Sequence, residues 1–281
     1  MNKTIILLSS IWFGVDDQGI LGSNVRINDI LTKKGLAFKN VKLVYKEEFN
    51  YSKTFKYENN LRYNLNSLTK EIRTILSNSM IPVQIGSDHS SIIASLTAYE
   101  DSQNLGVVVL DAHADFNTER TSLSGNVHGM STWIVTEKNN NKDMTFFNIP
   151  EKNIMICGLR DVDSKELKRL KDSEIRTFNS NIELRLNDYE QSLSNFISEY
   201  DNIHLSLDLD VLDPFVFPAV SVPVNGGLKY QELKTILVEI FSTGKVTSID
   251  IVEFNVIRDV EKKSEKLLSS LIDFILQLAN Q

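Results

Sequence analysis

The sequence predicts an α/β protein built on a mostly parallel sheet, and three observations carry that prediction. Apolar, β-branched runs alternate with helix-like segments from one end of the chain to the other, the pattern of successive βαβ units. Some of these runs, Leu105-Gly106-Val107-Val108-Val109-Leu110 above all, are apolar at every position, as strands covered by helices on both faces are. Acids and histidines stand directly after such runs, where open α/β sheets place their ligands.

Strand candidates lie near 4–9, 41–45, 81–85, 106–111, 153–157, 174–178, 203–208 and 246–251. The first begins an apolar stretch that two serines interrupt and Asp16 and Asp17 end, with no small-x-small cleavage site. It reads as a buried strand rather than a secretory leader. In 61–79, Leu61, Leu65, Leu68, Ile72 and Ile75 recur at helical spacing, and Leu267, Leu268, Leu271, Ile272, Ile275 and Leu276 repeat the pattern within 261–279. No run is long enough to cross a membrane as a helix. Glu137 to Asp143, with three consecutive asparagines, reads as a surface loop. With no internal repeat and no Pro/Gly/Ser linker, residues 1–281 are expected to form one domain.

Hydrophobic residues at 42% and charged residues at 24% supply a sizeable core, and a net charge of −7 without a basic block excludes a nucleic-acid footprint. The single cysteine, Cys157, cannot form an internal disulfide, which fits a reducing cytoplasm. It falls in a strand candidate and reads as core.

The chemistry concentrates in Asp111-Ala112-His113-Ala114-Asp115, directly after the most apolar run. At the period of a strand, positions 111, 113 and 115 share one side. Ionised carboxylates are costly to bury unless they are paired or bind a metal, so a divalent ion is the economical explanation. Asp208 and Asp210 repeat the logic, alternating with leucines before Pro214. A solvated edge strand would not carry such large apolar partners. His204, deeper in the same run, reads as a core histidine. His89, in Gly86-Ser87-Asp88-His89-Ser90, and Glu253, after the strand candidate 246–251, are weaker signals taken singly. Together, four aspartates and two histidines match two divalent ions roughly 3.5–4 Å apart, the spacing of two-metal hydrolytic sites. Oxygen ligands with some imidazole suit Mn²⁺, and two histidines are foreign to calcium's oxygen shell. A slightly negative centre favours a cationic substrate.

The set GSDHS (86–90), DAHAD (111–115), SLDLDVLDP (206–214) and VEFN (252–255) resembles the ureohydrolases: arginase, agmatinase, guanidinobutyrase, proclavaminate amidinohydrolase and formimidoylglutamase. The resemblance spans essentially the whole chain. It implies a three-layer domain with an eight-stranded parallel sheet and two Mn²⁺ per subunit. His89, Asp111, Asp115 and Asp208 would hold one ion, and Asp111, His113, Asp208 and Asp210 the other. A hydroxide between them would attack the guanidinium carbon, with Asp115, Glu253 and His128 completing the catalytic set. Glu253 would pair with the guanidinium and His128 would relay a proton to the leaving amine. A trimer or hexamer is implied as well.

Within the family, two stretches favour arginase, which hydrolyses L-arginine to L-ornithine and urea. Asn117, Ser122, Ser124 and Asn126 stand in the stretch 117–129, which resembles the loop binding the α-carboxylate, and Asp163 and Glu166 match acids that hold the α-amino group. The competing reading is local: Asp161, Asp163 or Ser164 would cap a helix starting near 165. The chain departs from the family at Ser87, where a glycine is usual, and at Pro218-Ala219-Val220-Ser221-Val222-Pro223, where P-x-T-G-T-P is usual. The second departure makes that wall more apolar and leans toward the formimidoylglutamase version. The alternatives are therefore another ureohydrolase (formimidoylglutamase, agmatinase or a guanidino-acid hydrolase) or a non-catalytic amino-acid-binding relative.

Overall fold

The computed structural model describes residues 3–46, 55–136, 148–179 and 186–281, so the surface loop expected at 137–143 lies outside the described residues. The strands β1 (Thr4–Ser9), β2 (Phe38–Asn40), β3 (Ile81–Gly86), β4 (Leu105–Leu110), β5 (Ile154–Leu159), β6 (Arg176–Asn179), β7 (Asn202–Asp208) and β8 (Val246–Val252) form one eight-stranded sheet. Every pairing is parallel, in the order β2-β1-β3-β8-β7-β4-β5-β6. The helices are α1 (Gln18–Lys33), α2 (Glu58–Ser77), α3 (Ile92–Thr97), α4 (Ser131–Ile134), α5 (Ser164–Lys171), α6 (Leu186–Ser198), α7 (Tyr230–Ser242) and α8 (Lys263–Ala279). None among the described residues is long and apolar enough to cross a membrane.

Helices cover both faces of the sheet. On one, Ile27 and Leu31 of α1, Phe196 of α6, Leu237 of α7 and Leu271 and Ile275 of α8 pack with Val108 and Leu110. On the other, Leu65 and Leu68 of α2, Ile93 of α3 and Ile134 of α4 pack with Val107 and Val109. Successive residues of β4 thus enter opposite cores, which is why the run is apolar throughout. Each large side chain so buried contributes about 1.5–3 kcal/mol of transfer free energy.

One strand lies elsewhere than expected. The alternation of Val41, Leu43 and Tyr45 predicts a strand at 41–45, yet β2 is Phe38–Asn40, and 41–46 has no strand pairing. The Val41 N–H still reaches the Leu8 carbonyl of β1 (2.8 Å), but beyond it the backbone is held by helix side chains. Asn64 receives the Val44 N–H (2.8 Å) and donates to the Val44 carbonyl (2.7 Å), and Asn60 does the same for Lys46 at 2.8 Å each. Two amides from α2 replace a neighbouring strand.

Because the sheet is parallel, all strand ends of one sense lie on one edge. The four adjacent central strands β3, β8, β7 and β4 therefore deliver their exit loops to one place.

Candidate active site

Each of these exits is a tight turn fixed by a short polar side chain. After β3, Gly86 (φ 91°) passes so close to the Ser9 carbonyl that a Cβ would collide with it. Asp88 then caps a 3₁₀ turn over His89–Ser91, accepting the Ser90 N–H at 2.9 Å. This turns the buried His89 ring inward, with Nε2 3.0 Å from Ser206 Oγ.

The acids after β4 and β7 do not converge by strand alternation, as expected from their spacing. β4 stops at Leu110, Asp111 Oδ1 receives the His113 N–H (2.6 Å), and Asp115 is left-handed (φ 49°). β7 stops at Asp208, whose Oδ1 receives the Asp210 N–H (2.9 Å) at the head of a 3₁₀ turn over Leu209–Val211. Local side-chain-to-backbone bonds compete with the ladder and end each strand at its first acid. Asp210 Oδ1 also receives the Ala112 N–H (3.0 Å), binding the two turns together.

The result is a dense cluster. His89 Nδ1 lies 2.8 Å from Asp111 Oδ2, 2.9 Å from Asp115 Oδ2 and 3.3 Å from Asp208 Oδ2. His113 Nδ1 lies 2.9 Å from Asp210 Oδ2 and 3.5 Å from Asp111 Oδ1. Two donor groups, His89/Asp111/Asp115 and Asp111/His113/Asp210, each have their ligand atoms within 4.8 Å of one another, and Asp111 belongs to both. His89 Nδ1 and Asp111 Oδ2 are buried without a hydrogen-bond partner among the described residues. An imidazole nitrogen and several carboxylate oxygens pointing at one spot fit a divalent cation.

Electrostatics agree. Burial alone would push the His89 ring down, but Asp111, Asp115 and Asp208 hold its pKa well above the usual histidine range. Burial raises Asp210 to about 6, and the neighbouring Asp111 carboxylate adds to it. Burial and the neighbouring carboxylates push Asp208 up as well, while His113 and His89 outweigh burial at Asp111 and hold its carboxyl well below the usual range.

After β8, Glu253 is left-handed (φ 68°), and its Oε1 receives the His89 N–H at 3.0 Å. His128 Nδ1 lies 3.4 Å from the same oxygen. Burial lowers the His128 ring, yet the Glu253 carboxylate outweighs it and brings the pKa to about 9. His128 therefore carries a proton at neutral pH.

A cavity of about 220 Å³ opens beside the cluster, lined by His113, Asp115, Asn117, His128, Gly129, Asp161, Asp163, Glu166 and Val222. Asp163 does cap α5, receiving the Lys165 and Glu166 N–H groups on Oδ1, and its Oδ2 accepts from Asn117 Nδ2 at 3.1 Å. The helix-cap reading and the cavity position coexist on one carboxylate. Ser122, Ser124 and Asn126 are not among the lining residues. Ser122 Oγ takes the Gly125 N–H, Ser124 Oγ takes the Asn126 N–H, and Asn126 Nδ2 donates to the Val15 carbonyl. His204 is buried with Nδ1 2.6 Å from Ser248 Oγ and Nε2 3.4 Å from Asp250 Oδ2, neither of them a member of the cluster. Asp161, considered from sequence only as a cap, lines the cavity with Oδ2 3.7 Å from His113 Nε2. Its signal was adjacency to Arg160, whose guanidinium bonds the carbonyls of Asp210 (2.6 Å) and Val224 (2.9 Å).

Comparison with known proteins agrees with this geometry. The model of the arginase family matches residues 22–276. The arginase of Bacillus subtilis (strain 168) is 34% identical over 216 residues, covering 74% of this chain and 73% of the relative. The arginase of Staphylococcus aureus (strain MRSA252) is 36% identical over 213 residues, covering 73% and 70%. The solved structure of arginase from Bacillus subtilis subsp. subtilis superposes with a TM-score of 0.84 at 28% identity, over 97% of this chain and 98% of that one. Fold, site and relatives define a hydrolase acting on linear amidines. The chain belongs to the arginase family.

Proposed function

We propose that the protein is a binuclear Mn²⁺ amidinohydrolase that converts L-arginine to L-ornithine and urea, with residues 1–281 acting as one catalytic domain. The observation that carries this reading is a single cavity whose wall combines members of the metal-donor cluster, His113 and Asp115, with His128 and with the acids Asp163 and Glu166. His89, Asp111, Asp115 and Asp208 would hold one ion, and Asp111, His113, Asp208 and Asp210 the second. When bound, the ions supply the Lewis acidity that makes water a nucleophile near neutral pH. Glu253 sets a carboxylate against the guanidinium. His128, protonated below about pH 9 and held by Glu253, gives its proton to the departing amine. Asp163 is held ionised by backbone N–H groups and Asn117, ready for an α-ammonium group. Asn117 Oδ1 is buried without a hydrogen-bond partner among the described residues, as a polar atom kept for a ligand would be. Ser122, Ser124 and Asn126 stand outside the cavity wall and would reach the α-carboxylate through donors, the two hydroxyls and the Asn126 amide N–H groups.

One observation favours a second substrate within the same class. Val222 lines the cavity and is 40% exposed, so the wall offers a methyl surface where a hydroxyl is usual in the family. A formimidoyl or shorter guanidino substrate would suit it. A panel of L-arginine, agmatine, guanidinobutyrate and formimidoylglutamate on Mn²⁺-loaded protein decides. Turnover of arginine well above the others is expected, and a faster rival replaces the substrate while keeping the class. Metal content by elemental analysis should approach two ions per chain, and light scattering should give a trimer or hexamer. A cytoplasmic enzyme fits the single buried cysteine.

A further inference from the structure

His128 opens a 3₁₀ turn, His128–Met130, that leads into α4 rather than standing on a strand of the sheet, and its entry side must be held against Glu253 from outside that turn. Its backbone N–H donates to the Gly14 carbonyl at 3.2 Å. Two residues earlier, Asn126 Nδ2 donates to the Val15 carbonyl at 2.8 Å. Lys56 Nζ meets Asp16 at 3.2 Å, and the Lys56 N–H reaches the Gly125 carbonyl at 3.5 Å. The loop leading to His128 therefore lies along the segment Ile11–Asp16 that leaves β1.

That segment is gripped in turn by the residues just before His89. The Ile11 N–H donates to Ser87 Oγ (3.0 Å), and the Ile11 carbonyl receives the Asp88 N–H (2.7 Å). Asp88 Oδ2 receives the N–H groups of both Gly14 (2.7 Å) and Val15 (3.1 Å). Ser87 sits at φ 65°, a conformation costly for any residue but glycine, and its hydroxyl also bonds Ser9 Oγ at 2.6 Å. A side chain at that backbone needs a reason, and its tie to the Ile11 N–H is one.

We propose that the segment Ile11–Asp16 is the positioning element for His128, with Gly14 the residue where the grip of the Ser87–Asp88 turn and the hold on His128 meet. A Cβ on Gly14 would stand 2.5 Å from Asp88 Oδ1, 2.6 Å from Ser90 Oγ and 2.7 Å from Ser90 Cβ. Neither neighbour can yield. Asp88 is fully buried and bonded to Gly14, Val15 and Ser90, and Ser90 is fully buried too. The backbone of Gly14 must give way, and its carbonyl carries His128 with it. Misplacement of a proton donor by an ångström costs on the order of a hundredfold in rate while leaving substrate binding little changed.

The proposal rests on His128 being the proton donor of the reaction, and its test has one arm independent of that. Gly14→Ala and Ser87→Ala are prepared Mn²⁺-loaded and assayed on whichever guanidino compound the unaltered protein turns over fastest. For Gly14→Ala, kcat should fall about 10- to 100-fold with KM within about threefold and metal content unchanged. Ser87→Ala should fall the same way by about three- to tenfold. Hydrogen–deuterium exchange should quicken in the peptide 122–130 of both variants, while peptide 206–212 keeps its protection. Unchanged exchange in 122–130 overturns the proposal whether or not any substrate is turned over. Loss of metal alongside kcat also overturns it, since the segment would then be holding His89. If Gly14→Ala does not fold, the exchange pattern of Ser87→Ala decides alone.

Discussion

Replacing Glu166 by glutamine should make the metal-free protein more stable above pH 7 and the enzyme poorer. Burial is the largest influence on this carboxyl, which is only 4% exposed, and raises its pKa from 4.5 to about 7. The Phe116 N–H, 2.8 Å from Oε1, pulls the other way, and the Asp115 and Asp163 carboxylates add to the rise. The unfolded chain gives up this proton near pH 4.5, whereas the folded protein keeps it to about 7. The stability this contributes is complete below the lower value and is lost as pH rises through the upper one. The gap between the two corresponds to roughly 3 kcal/mol, and some relief by cavity water leaves about 1–3 kcal/mol. Glutamine stays neutral and keeps an oxygen for Phe116, so the penalty disappears. Urea unfolding of both proteins, stripped of metal, should show the variant gaining this amount at pH 8 relative to pH 5, or about 2–6 °C in melting temperature. Comparing variant with parent at each pH cancels the titration of the metal-site acids, which both share. KM for arginine should rise at pH 8, where Glu166 is ionised and, in the proposed reading, would face the α-ammonium group. A gain equal at both pH values, or larger at pH 5, would refute the burial argument.

Three further outcomes follow from the same geometry. Asp111→Asn strikes the residue common to both donor groups, so both ions should be lost by elemental analysis, and a variant holding two would contradict the shared role. His128→Asn should keep its metal but lose about 10²–10⁴ in kcat, along with the alkaline limb of the parent's pH profile; an unaltered limb would remove His128 from proton transfer. Asn64→Ala frees both backbone groups of Val44 and should cost about 1–3 kcal/mol, with the Val44 amide exchanging faster; unchanged protection there would show that the helix amide is not what holds 41–46.

What the sequence disclosed and what it hid have separate physical origins. Burial on both faces leaves a mark at every residue, so the runs at β4 and β7 were readable as inner strands of a parallel sheet. The acids beyond them were readable because a buried carboxylate has few tolerable explanations. Hidden were features that depend on one conformation or one distant partner. The 41–45 segment has the alternation of a strand, but past Val41 its backbone partners are Asn60 and Asn64 on a helix, which no periodicity reveals. Spacing put Asp111, His113 and Asp115 on one spot by strand alternation, whereas the chain turns at Asp111 and divides them, Asp111 grouping with Asp115 at His89 and with His113 at Asp210. Gly14 left no trace at all, because its importance lies in what a methyl group there would strike.

The left-handed residues of the site explain why its turns cannot be relaxed. Ser87, Asp115 and Glu253 adopt φ of 65°, 49° and 68° at the exits of β3, β4 and β8, each at a cost of order 1–3 kcal/mol for a residue with a side chain. Glycine would remove that cost, but at Asp115 and Glu253 it would also remove a carboxylate. The left-handed step folds the chain back on itself, which is how Asp115 Oδ2 comes within 2.9 Å of His89 Nδ1 although β7 and β8 lie between β4 and β3 in the sheet. Backbone bonds hold the strained residues in place: the Glu253 N–H donates to the Ser87 carbonyl at 3.0 Å, and the Asp115 carbonyl receives the Thr132 N–H at 3.0 Å. Two strained turns thus brace each other directly, and the third is braced by α4, which packs into the core beneath. The energy that opposes the mutual repulsion of these carboxylates comes in part from the two apolar layers on either side of the sheet.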